Sequence, residues 1–291
     1  MQLRTIGTRT VSAIGIGGMP MSIEGRPDPE QAVATIHAAL DAGITFIDTA
    51  DAYHLPSDGE PGHNERLVAK ALASYGGDTS AVLVATKGGL QRPPGSGGGP
   101  WRRSGRPEYL KEAAKASARR LGVEAIGLYQ FHRHDPEVPY ADSVGALRDL
   151  LDEGVIELAG ISNADIAQIG IAQEVLGGRL ASVQNQFSPV FRSSRAELDH
   201  CAAHGIAFLP WSPLGGIGRN RDASTTFGAF QRIADERGVS PQQVTLAWEL
   251  GLAPGVIPIP GASRPASIQD SALAADLVLT SAERAELDSS L

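Results

Sequence analysis

Residues 46–53 contain the first groups along the chain that could carry out acid–base chemistry. They read Phe-Ile-Asp-Thr-Ala-Asp-Ala-Tyr, an apolar run followed by the carboxylate of Asp48 and then the phenol of Tyr53. An apolar strand that presents such groups at its carboxyl end is typical of an active site in a barrel enzyme. Taken alone, the stretch is weak evidence for such a site, because an Asp that ends a strand is more often a turn residue and a Tyr beyond it usually packs on its neighbours.

Lysine and histidine follow two later apolar runs, and their chemistry complements that of Tyr53. Lys87 comes after the run 81–86, and His132 comes after the run 126–131. An unperturbed tyrosine has a pKa of about 10, which is high for a proton donor at neutral pH, and a nearby ammonium group lowers it. We therefore expect Lys87 to activate Tyr53.

The remaining roles follow from the same chemistry. We expect Asp48 to pair with Lys87 and hold it in place, and His132 to bind and orient a substrate oxygen. Ser162 lacks a nucleophile elbow and Cys201 falls in a predicted helix, so neither suits covalent catalysis. Proton transfer to a carbonyl oxygen is the natural task, and reduction of that carbonyl requires a hydride donor.

Other predicted strand ends carry groups suited to a nicotinamide cofactor. Neutral hydrogen-bonding side chains that could orient a carboxamide are Ser162, Asn163 and Gln184. Trp211 offers a flat face for the nicotinamide ring. Ser212, Pro213, Leu214 and Gly215 lead into Gly216, and this segment supplies backbone N–H groups with little bulk for a pyrophosphate. Arg264, beside the start of a late helix, suits a phosphate.

The elements that must position these groups alternate regularly. We predict strands at 11–17, 44–48, 81–86, 126–131, 155–160, 181–183, 206–210 and 256–258. Helices are predicted at 29–42, 65–75, 107–121, 140–153, 164–176, 194–204, 241–251 and 265–275. Eight such units with no linker between them favour one α/β domain over 1–291, a (β/α)8 TIM barrel with a short N-terminal β-hairpin. An open doubly wound sheet is the alternative.

A dinucleotide-binding Rossmann fingerprint is rejected. Gly15, Gly17 and Gly18 resemble its beginning, but Pro20 stands where the third glycine belongs and no long helix follows at once. We expect these glycines to let the backbone approach a ligand or a neighbouring turn instead.

Composition excludes several function classes. Hydrophobic residues make up 42% of the 291 residues and charged residues 20%, as in a globular chain. The net charge of −8 argues against a nucleic-acid partner but leaves room for a small local anion site. The single cysteine cannot form an internal disulfide, and no metal-binding spacing occurs. Without a leader or a spanning apolar run, we expect a cytoplasmic monomer that does not bind membranes.

Several motifs in this order resemble the aldo-keto reductase superfamily over nearly the whole chain. The stretch 46–53 with Asn64 and Glu65 resembles the first family signature, and residues 128–133 (Leu-Tyr-Gln-Phe-His-Arg) resemble the histidine strand. Residues 160–163 (Gly-Ile-Ser-Asn) and 183–185 (Val-Gln-Asn) resemble the carboxamide-binding turns. Residues 211–215 (Trp-Ser-Pro-Leu-Gly) and 257–261 (Ile-Pro-Ile-Pro-Gly) resemble the pyrophosphate and adenosine ends.

The resemblance implies a catalytic tetrad of Asp48, Tyr53, Lys87 and His132. It also implies NADPH as the hydride donor, bound without a Rossmann fold, and an aldehyde or ketone as substrate. At the adenosine end it implies contacts from Gly261, Ser263, Arg264 and Asp270. Two positions depart from the family pattern there: Ser271 replaces the usual Asn, and Ser263 stands where a second basic residue sometimes occurs.

Three alternatives stay open on the sequence alone. A regulatory subunit could keep the fold and bind NADPH with little turnover. A barrel lyase or isomerase could use Lys87 as a Schiff base, but the groups suited to a carboxamide would then have no role. The glycine-rich stretch 95–101 is either a surface linker or a lid whose Trp101 shapes the substrate pocket.

Overall fold

A curled parallel sheet forms the centre of the protein. The structure is a computed structural model, and it describes residues 1–93, 101–216 and 227–291. The strands, in chain order β1 to β11, are Leu3–Ile6, Arg9–Ser12, Ile16–Gly17, Phe46–Asp48, Leu83–Gly88, Leu90–Gln91, Arg102–Arg103, Ile126–Phe131, Ile156–Ser162, Leu180–Gln184 and Ala207–Phe208. Seven of these form the parallel sheet, in the order β11-β10-β9-β8-β5-β4-β3.

Helices cover the outside of the sheet. Within the described residues, α1 to α10 are Pro29–Asp41, His63–Ser74, Pro107–Leu121, Tyr140–Asp152, Ile166–Val175, Arg195–His204, Gly228–Arg237, Pro241–Leu250, Pro265–Leu273 and Ser281–Ser290. Local sequence sets their starts: Asp28 caps α1 by accepting from the Gln31 N–H at 2.9 Å, and Pro29 occupies the first turn. None of these helices combines the length and the apolar character needed to cross a membrane.

Residues 256–261 close the barrel as its eighth strand, although they are not continuous strand. They form parallel bridges to Phe208 on one side and to Gly17 on the other. The carbonyls of Pro258 and Pro260 accept from Gly15 and Gly17 at 2.9 and 3.0 Å. Proline has no N–H to return these bonds, so the ladder on that side is half formed. The predicted (β/α)8 barrel is thereby confirmed.

The hairpin of β1 and β2 closes the end of the barrel opposite the site. Its strands pair antiparallel from Leu3 opposite Ser12 to Ile6 opposite Arg9. Ile6 and Val11 pack into the barrel interior against Leu158 and other buried apolar side chains. Gly7 turns the hairpin with φ +54°, and a Cβ there would lie 2.8 Å from Leu158.

The main corrections concern short elements. The predicted strand 11–17 is wrong as one unit, because Arg9–Ser12 belongs to the hairpin and Ile16–Gly17 alone joins the barrel. The two-stranded pair β6–β7, whose strands come before and after the glycine-rich stretch 95–101 in the chain, was not predicted. Residues 95–100 of the predicted linker or lid, 95–101, lie outside the described residues.

Other predicted bounds shift by one to a few residues, while 107–121 and 126–131 agree with the structure. Helices α7 and α10 were not predicted. For α10 a usable signal existed, since Thr280 and Glu283 form a capping box at its start. Trp248 anchors this helix by donating from Nε1 to Asp288 at 2.8 Å.

Candidate active site

The carboxyl ends of the parallel strands bring the predicted acid–base groups to one face of the barrel. Asp48 ends β4, Lys87 is the penultimate residue of β5, and His132 follows β8. Register aligns them: Asp48 lies opposite Ala85, and Lys87 lies opposite Gln130. Parallel pairing makes this clustering unavoidable, because every strand of the barrel points its carboxyl end the same way.

The ammonium group of Lys87 joins three of these groups inside the protein. Its Nζ lies 2.5 Å from Asp48 Oδ2, 2.9 Å from the Thr49 carbonyl oxygen and 3.3 Å from the Tyr53 hydroxyl. Lys87 and Asp48 are both almost fully buried. An ammonium group has three donors, and these three acceptors use all of them.

The second oxygen of Asp48 is held by two side-chain amides, one from β8 and one from β10. Gln184 Nε2 donates to Oδ1 at 2.8 Å, and Gln130 Nε2 donates to the same atom at 3.3 Å. Buried charges persist when their remaining hydrogen-bonding capacity is met in this way. Gln130 was not among the predicted site residues, although a polar residue two positions before His132 in an apolar strand points to the same side.

Burial and charge act against each other on the titrating groups. Burial raises the pKa of Tyr53 more than the nearby Lys87 lowers it, so its net direction is upward. For Lys87, burial lowers the pKa, but the combined effect of Asp48 and Tyr53 is larger and raises it. The net direction is upward, so the group stays an ammonium ion. As expected, Lys87 by itself lowers the pKa of Tyr53. The pKa of Tyr53 is nevertheless raised overall, because burial has the larger effect.

His132 faces Tyr53 across the site. The two rings lie 5.8 Å apart between centroids in a T-shaped arrangement. Burial first, and the charge of Lys87 second, hold the pKa of His132 well below its ordinary value, so the imidazole is neutral at neutral pH. Its Nδ1 is buried and has no hydrogen-bond partner among the described residues. A neutral imidazole can donate from one ring nitrogen to a substrate oxygen.

A cavity of about 950 Å³ runs from these groups to the start of α9. Of the residues expected from the sequence, it is lined by Asp48, Tyr53, His132, Ser162, Asn163, Gln184, Trp211, Ser212, Pro213, Leu214, Gly261, Ser263, Arg264 and Asp270. Lys87 lies behind Asp48 and Tyr53, and Gly216 rather than Gly215 reaches the surface of the cavity. All of the candidates predicted from the sequence except Lys87 and Gly215 thus line one cavity.

The expected carboxamide-binding groups also tie the strand ends together. Ser162 Oγ donates to the Gln184 carbonyl at 2.8 Å. Asn163 Nδ2 donates to the His132 carbonyl at 3.1 Å and to Ser162 Oγ at 2.9 Å. Asn163 adopts φ +56°, a left-handed conformation that asparagine tolerates better than most residues. These bonds fix the turn after β9 at the edge of the cavity.

Trp211 and the turn after it form the middle of the cavity wall. Trp211 forms a parallel β-bridge with Gln186. The backbone N–H of Trp211 donates to the Asn185 carbonyl at 3.0 Å. Its indole Nε1 is buried without a partner among the described residues. Ser212 and Gly215 both have positive φ, +53° and +95°, which turns the backbone sharply beside the tryptophan.

At the far end of the cavity, Arg264 and Asp270 differ in whether they have partners among the described residues. Arg264 is exposed at the N-cap of α9 and forms no ion pair with the described residues. Asp270 is engaged, since it accepts from Ser240 Oγ and Gln243 Nε2, both at 2.6 Å. Its carboxylate therefore joins α9 to the start of α8, a role the sequence did not indicate. Gly261 fits closely under Pro20, whose Cγ would lie 2.8 Å from an added Cβ.

These features fit an elongated, phosphorylated nicotinamide cofactor. The cavity is long, and at its far end Arg264 has no carboxylate partner among the described residues. At its near end, His132 Nδ1 and Trp211 Nε1 are buried and have no hydrogen-bond partner among the described residues. Gly17 and Gly261 let the segments that line this cavity pack closely, because an added Cβ would lie 2.9 Å from the Ile259 carbonyl oxygen and 2.8 Å from Pro20 Cγ, respectively. Chemically, the near end can give a proton to a carbonyl oxygen lying between Tyr53 and His132.

Comparisons with known proteins identify relatives over nearly the whole chain. A sequence model described as the Aldo/keto reductase family matches residues 13–291. The chain is 34% identical to an uncharacterized oxidoreductase of Schizosaccharomyces pombe over 287 residues, 97% of this chain and 88% of that protein. It is 33% identical to a 6-dehydroglucose reductase of Novosphingobium aromaticivorans over 269 residues, 90% of this chain and 86% of that one.

Among solved structures, the chain is similar to an aldo/keto reductase from Klebsiella pneumoniae in complex with NADP and acetate. The identity is 29%, the TM-score is 0.78, and the match covers 96% of this chain and 91% of the other.

Proposed function

The chain belongs to the aldo/keto reductase family, and we propose that it reduces aldehydes or ketones to alcohols, with NADPH as hydride donor and Tyr53 as proton donor. The observation that carries this proposal is the buried contact of Lys87 Nζ with both Asp48 Oδ2 and the Tyr53 hydroxyl. Structural support alone would not require an ammonium group to touch a phenol. A proton donor to a developing alkoxide benefits from that contact.

The cofactor would be held along the cavity wall. Ser162, Asn163 and Gln184 would contact the carboxamide, Trp211 the ring, and Ser212 to Gly215 the pyrophosphate. Gly261, Ser263 and Arg264 would hold the adenosine end, while Asp270 supports it through its bonds to α8. When bound, NADPH supplies a hydride to the carbonyl carbon.

The chain's own groups do the rest. His132 donates a hydrogen bond to the carbonyl oxygen and orients it toward the Tyr53 hydroxyl. As negative charge develops on that oxygen, Tyr53 gives it the hydroxyl proton, and Lys87 stabilises the phenolate that remains. Asp48 keeps Lys87 within reach, because the two buried charges form a direct ion pair.

Steady-state consumption of NADPH with a panel of aldehydes and ketones tests the proposal, with alcohol products identified by mass. We expect turnover with at least one carbonyl class and formation of one alcohol per NADPH consumed. Tight NADPH binding with no turnover of any compound would contradict the reductase assignment and would favour a cofactor-binding regulatory protein.

A further inference from the structure

Two arginines lie at the substrate end of the cavity, next to the acid–base groups. Arg133 directly follows His132, and Arg103 lies in β7 opposite Leu90 of β6. Both line the same cavity as Tyr53 and His132. No residue in the mechanism described above requires a positive charge at either position.

Neither arginine has a carboxylate partner among the described residues. Arg133 donates to Asn163 Oδ1 at 3.2 Å, and Arg103 donates to the His134 carbonyl at 3.4 Å. A guanidinium group has five N–H donors, so most donors of each remain available. The neighbouring stretch 94–100, Pro-Gly-Ser-Gly-Gly-Gly-Pro, contains no acidic residue.

A third arginine nearby differs from these two because it is paired with a carboxylate. Arg92 is buried, pairs with Glu24 and donates to the His54 carbonyl at 2.6 Å. It also lies over the ring of Trp101, 5.3 Å from the ring centroid. Arg92 thus supports the cavity wall, whereas Arg103 and Arg133 expose their donors to the cavity.

The acidic groups close to these arginines are already engaged. Asp48 is paired with Lys87. Asp135 accepts from the backbone N–H groups of Gly105 and Glu137 at 2.9 and 3.1 Å. Among the described residues, the guanidinium charges of Arg103 and Arg133 are therefore left without a paired carboxylate, in a chain whose net charge is −8.

The two positive charges also act on each other. Burial first, and the charge of Arg103 second, lower the pKa of Arg133. Two like charges facing one cavity without a counter-ion destabilise each other, and an anion placed between them removes that cost.

We infer that Arg103 and Arg133 bind an oxyanion, a carboxylate or a phosphate, carried by the carbonyl substrate itself. This rests on the proposed reductase function and names its substrate class: aldehydes or ketones with an anionic group. Guanidinium groups suit this task because their planar fork matches the geometry of carboxylates and phosphates. The anion would hold the substrate while its carbonyl faces Tyr53 and His132.

A simpler alternative is that Arg133 only orients Asn163 and that Arg103 is solvated. The two cases differ in which substrates bind more weakly when an arginine is removed. An anion site discriminates between charged and neutral substrates, whereas a supporting contact at Asn163 affects every substrate and the cofactor alike.

The test uses matched aldehydes with the full-length protein. 4-Carboxybenzaldehyde carries the anion, its methyl ester is neutral, and 4-formylphenyl phosphate separates carboxylate from phosphate recognition. We expect Arg103→Gln and Arg133→Gln to raise KM for the preferred anionic aldehyde about tenfold, with the methyl ester changed less than about twofold. Arg102→Gln is the matched control, since Arg102 is exposed in the same strand but does not line the cavity.

A binding measurement keeps this inference separate from the reductase function. Calorimetry of 4-(hydroxymethyl)benzoate, 4-(hydroxymethyl)phenyl phosphate and the neutral methyl ester of the former, each added to protein with NADPH, needs no turnover. Binding of an anion that weakens about tenfold in Arg103→Gln and Arg133→Gln supports the site even if no aldehyde is reduced. Equal losses for charged and neutral ligands, or no preference for either anion in the unmodified protein, would overturn the site while leaving reduction of neutral carbonyls standing.

Discussion

The Nζ atom of Lys87 lies 3.3 Å from the hydroxyl oxygen of Tyr53, two groups that are 34 residues apart in the chain and both buried at the carboxyl end of the barrel. Each affects the ionisation of the other. Lys87 lowers the pKa of Tyr53, but the increase caused by burial is larger than this decrease. Tyr53 in turn helps to raise the pKa of Lys87. Substitution of either residue should therefore change the proton transfer that the other supports.

Tyr53→Phe removes the proposed acid and keeps the ring. We expect kcat to fall by roughly 10²-fold or more, the scale of a lost general acid. NADPH affinity and the circular dichroism spectrum should be almost unchanged, because the ring contact with His132 does not need the hydroxyl. A variant that keeps most of its turnover would exclude Tyr53 as the donor.

Lys87→Met alone should cost stability as well as activity. It leaves the buried carboxylate of Asp48 without its cation, and breaking a buried pair typically costs about 3–5 kcal/mol. The double variant Asp48→Asn/Lys87→Met removes both charges and should recover much of the unfolding free energy in urea titrations. Its kcat should remain low by roughly 10²-fold. An unaltered pH–rate profile in a folded double variant would contradict the role of Lys87.

Arg264→Ala tests the choice between NADPH and NADH, which differ only in the 2′-phosphate. Arg264 is exposed, so screening by solvent favours the lower end of the range for a charge-assisted contact. We expect about tenfold weaker NADPH binding and almost no change for NADH in fluorescence titrations.

Arg106→Ala is the matched control for that experiment. Arg106 is also exposed and also stands at a helix N-cap immediately before a proline, but it does not line the cavity. Equal losses for both cofactors in Arg264→Ala would mean that this residue holds structure rather than the phosphate.

Glu249 should make the protein less stable as pH rises. Both of its carboxylate oxygens are buried without partners among the described residues, and burial raises its pKa well above the ordinary value. Above the unfolded pKa of about 4.3, the unfolded chain has lost the proton that the folded chain still holds. The free energy of unfolding therefore falls with rising pH until the folded pKa is passed.

Glu249→Gln removes this dependence. We expect its melting temperature at pH 8 to exceed that of the unmodified protein by at least about 2 °C, with a smaller difference at pH 4. Glu112→Gln, an exposed glutamate on α3, is the control and should change little at either pH. A difference that is the same at both pH values would show that the effect of Glu249 is not due to its charge.

The order of the elements and the main chemistry of the site could be read from the sequence. Apolar strands alternating with amphipathic helices leave few arrangements besides a parallel barrel, and the barrel then places every strand's carboxyl end on one face. That is why the sequence alone is enough to group Asp48, Lys87 and His132, although they lie far apart in the chain.

Short elements could not be predicted in the same way because their stabilising contacts are not local. A strand was predicted at 256–258, but its continuation to residue 261 was not, since it depends on Gly15 and Gly17 donating to the carbonyls of Pro258 and Pro260. The pair β6–β7 consists of two residues on each side, too few for any periodic pattern.

The ionisation of the site was decided by the tertiary structure alone. Burial is a property of the folded chain, and it turns the pKa of Tyr53 upward although its nearest cation acts downward. Partners are likewise set by packing: Asp270 is engaged by Ser240 and Gln243, while Arg103 and Arg133 line one cavity without a carboxylate partner among the described residues. The sequence determines which charged groups exist, but their energies depend on desolvation and on distances of a few ångströms that only the fold determines.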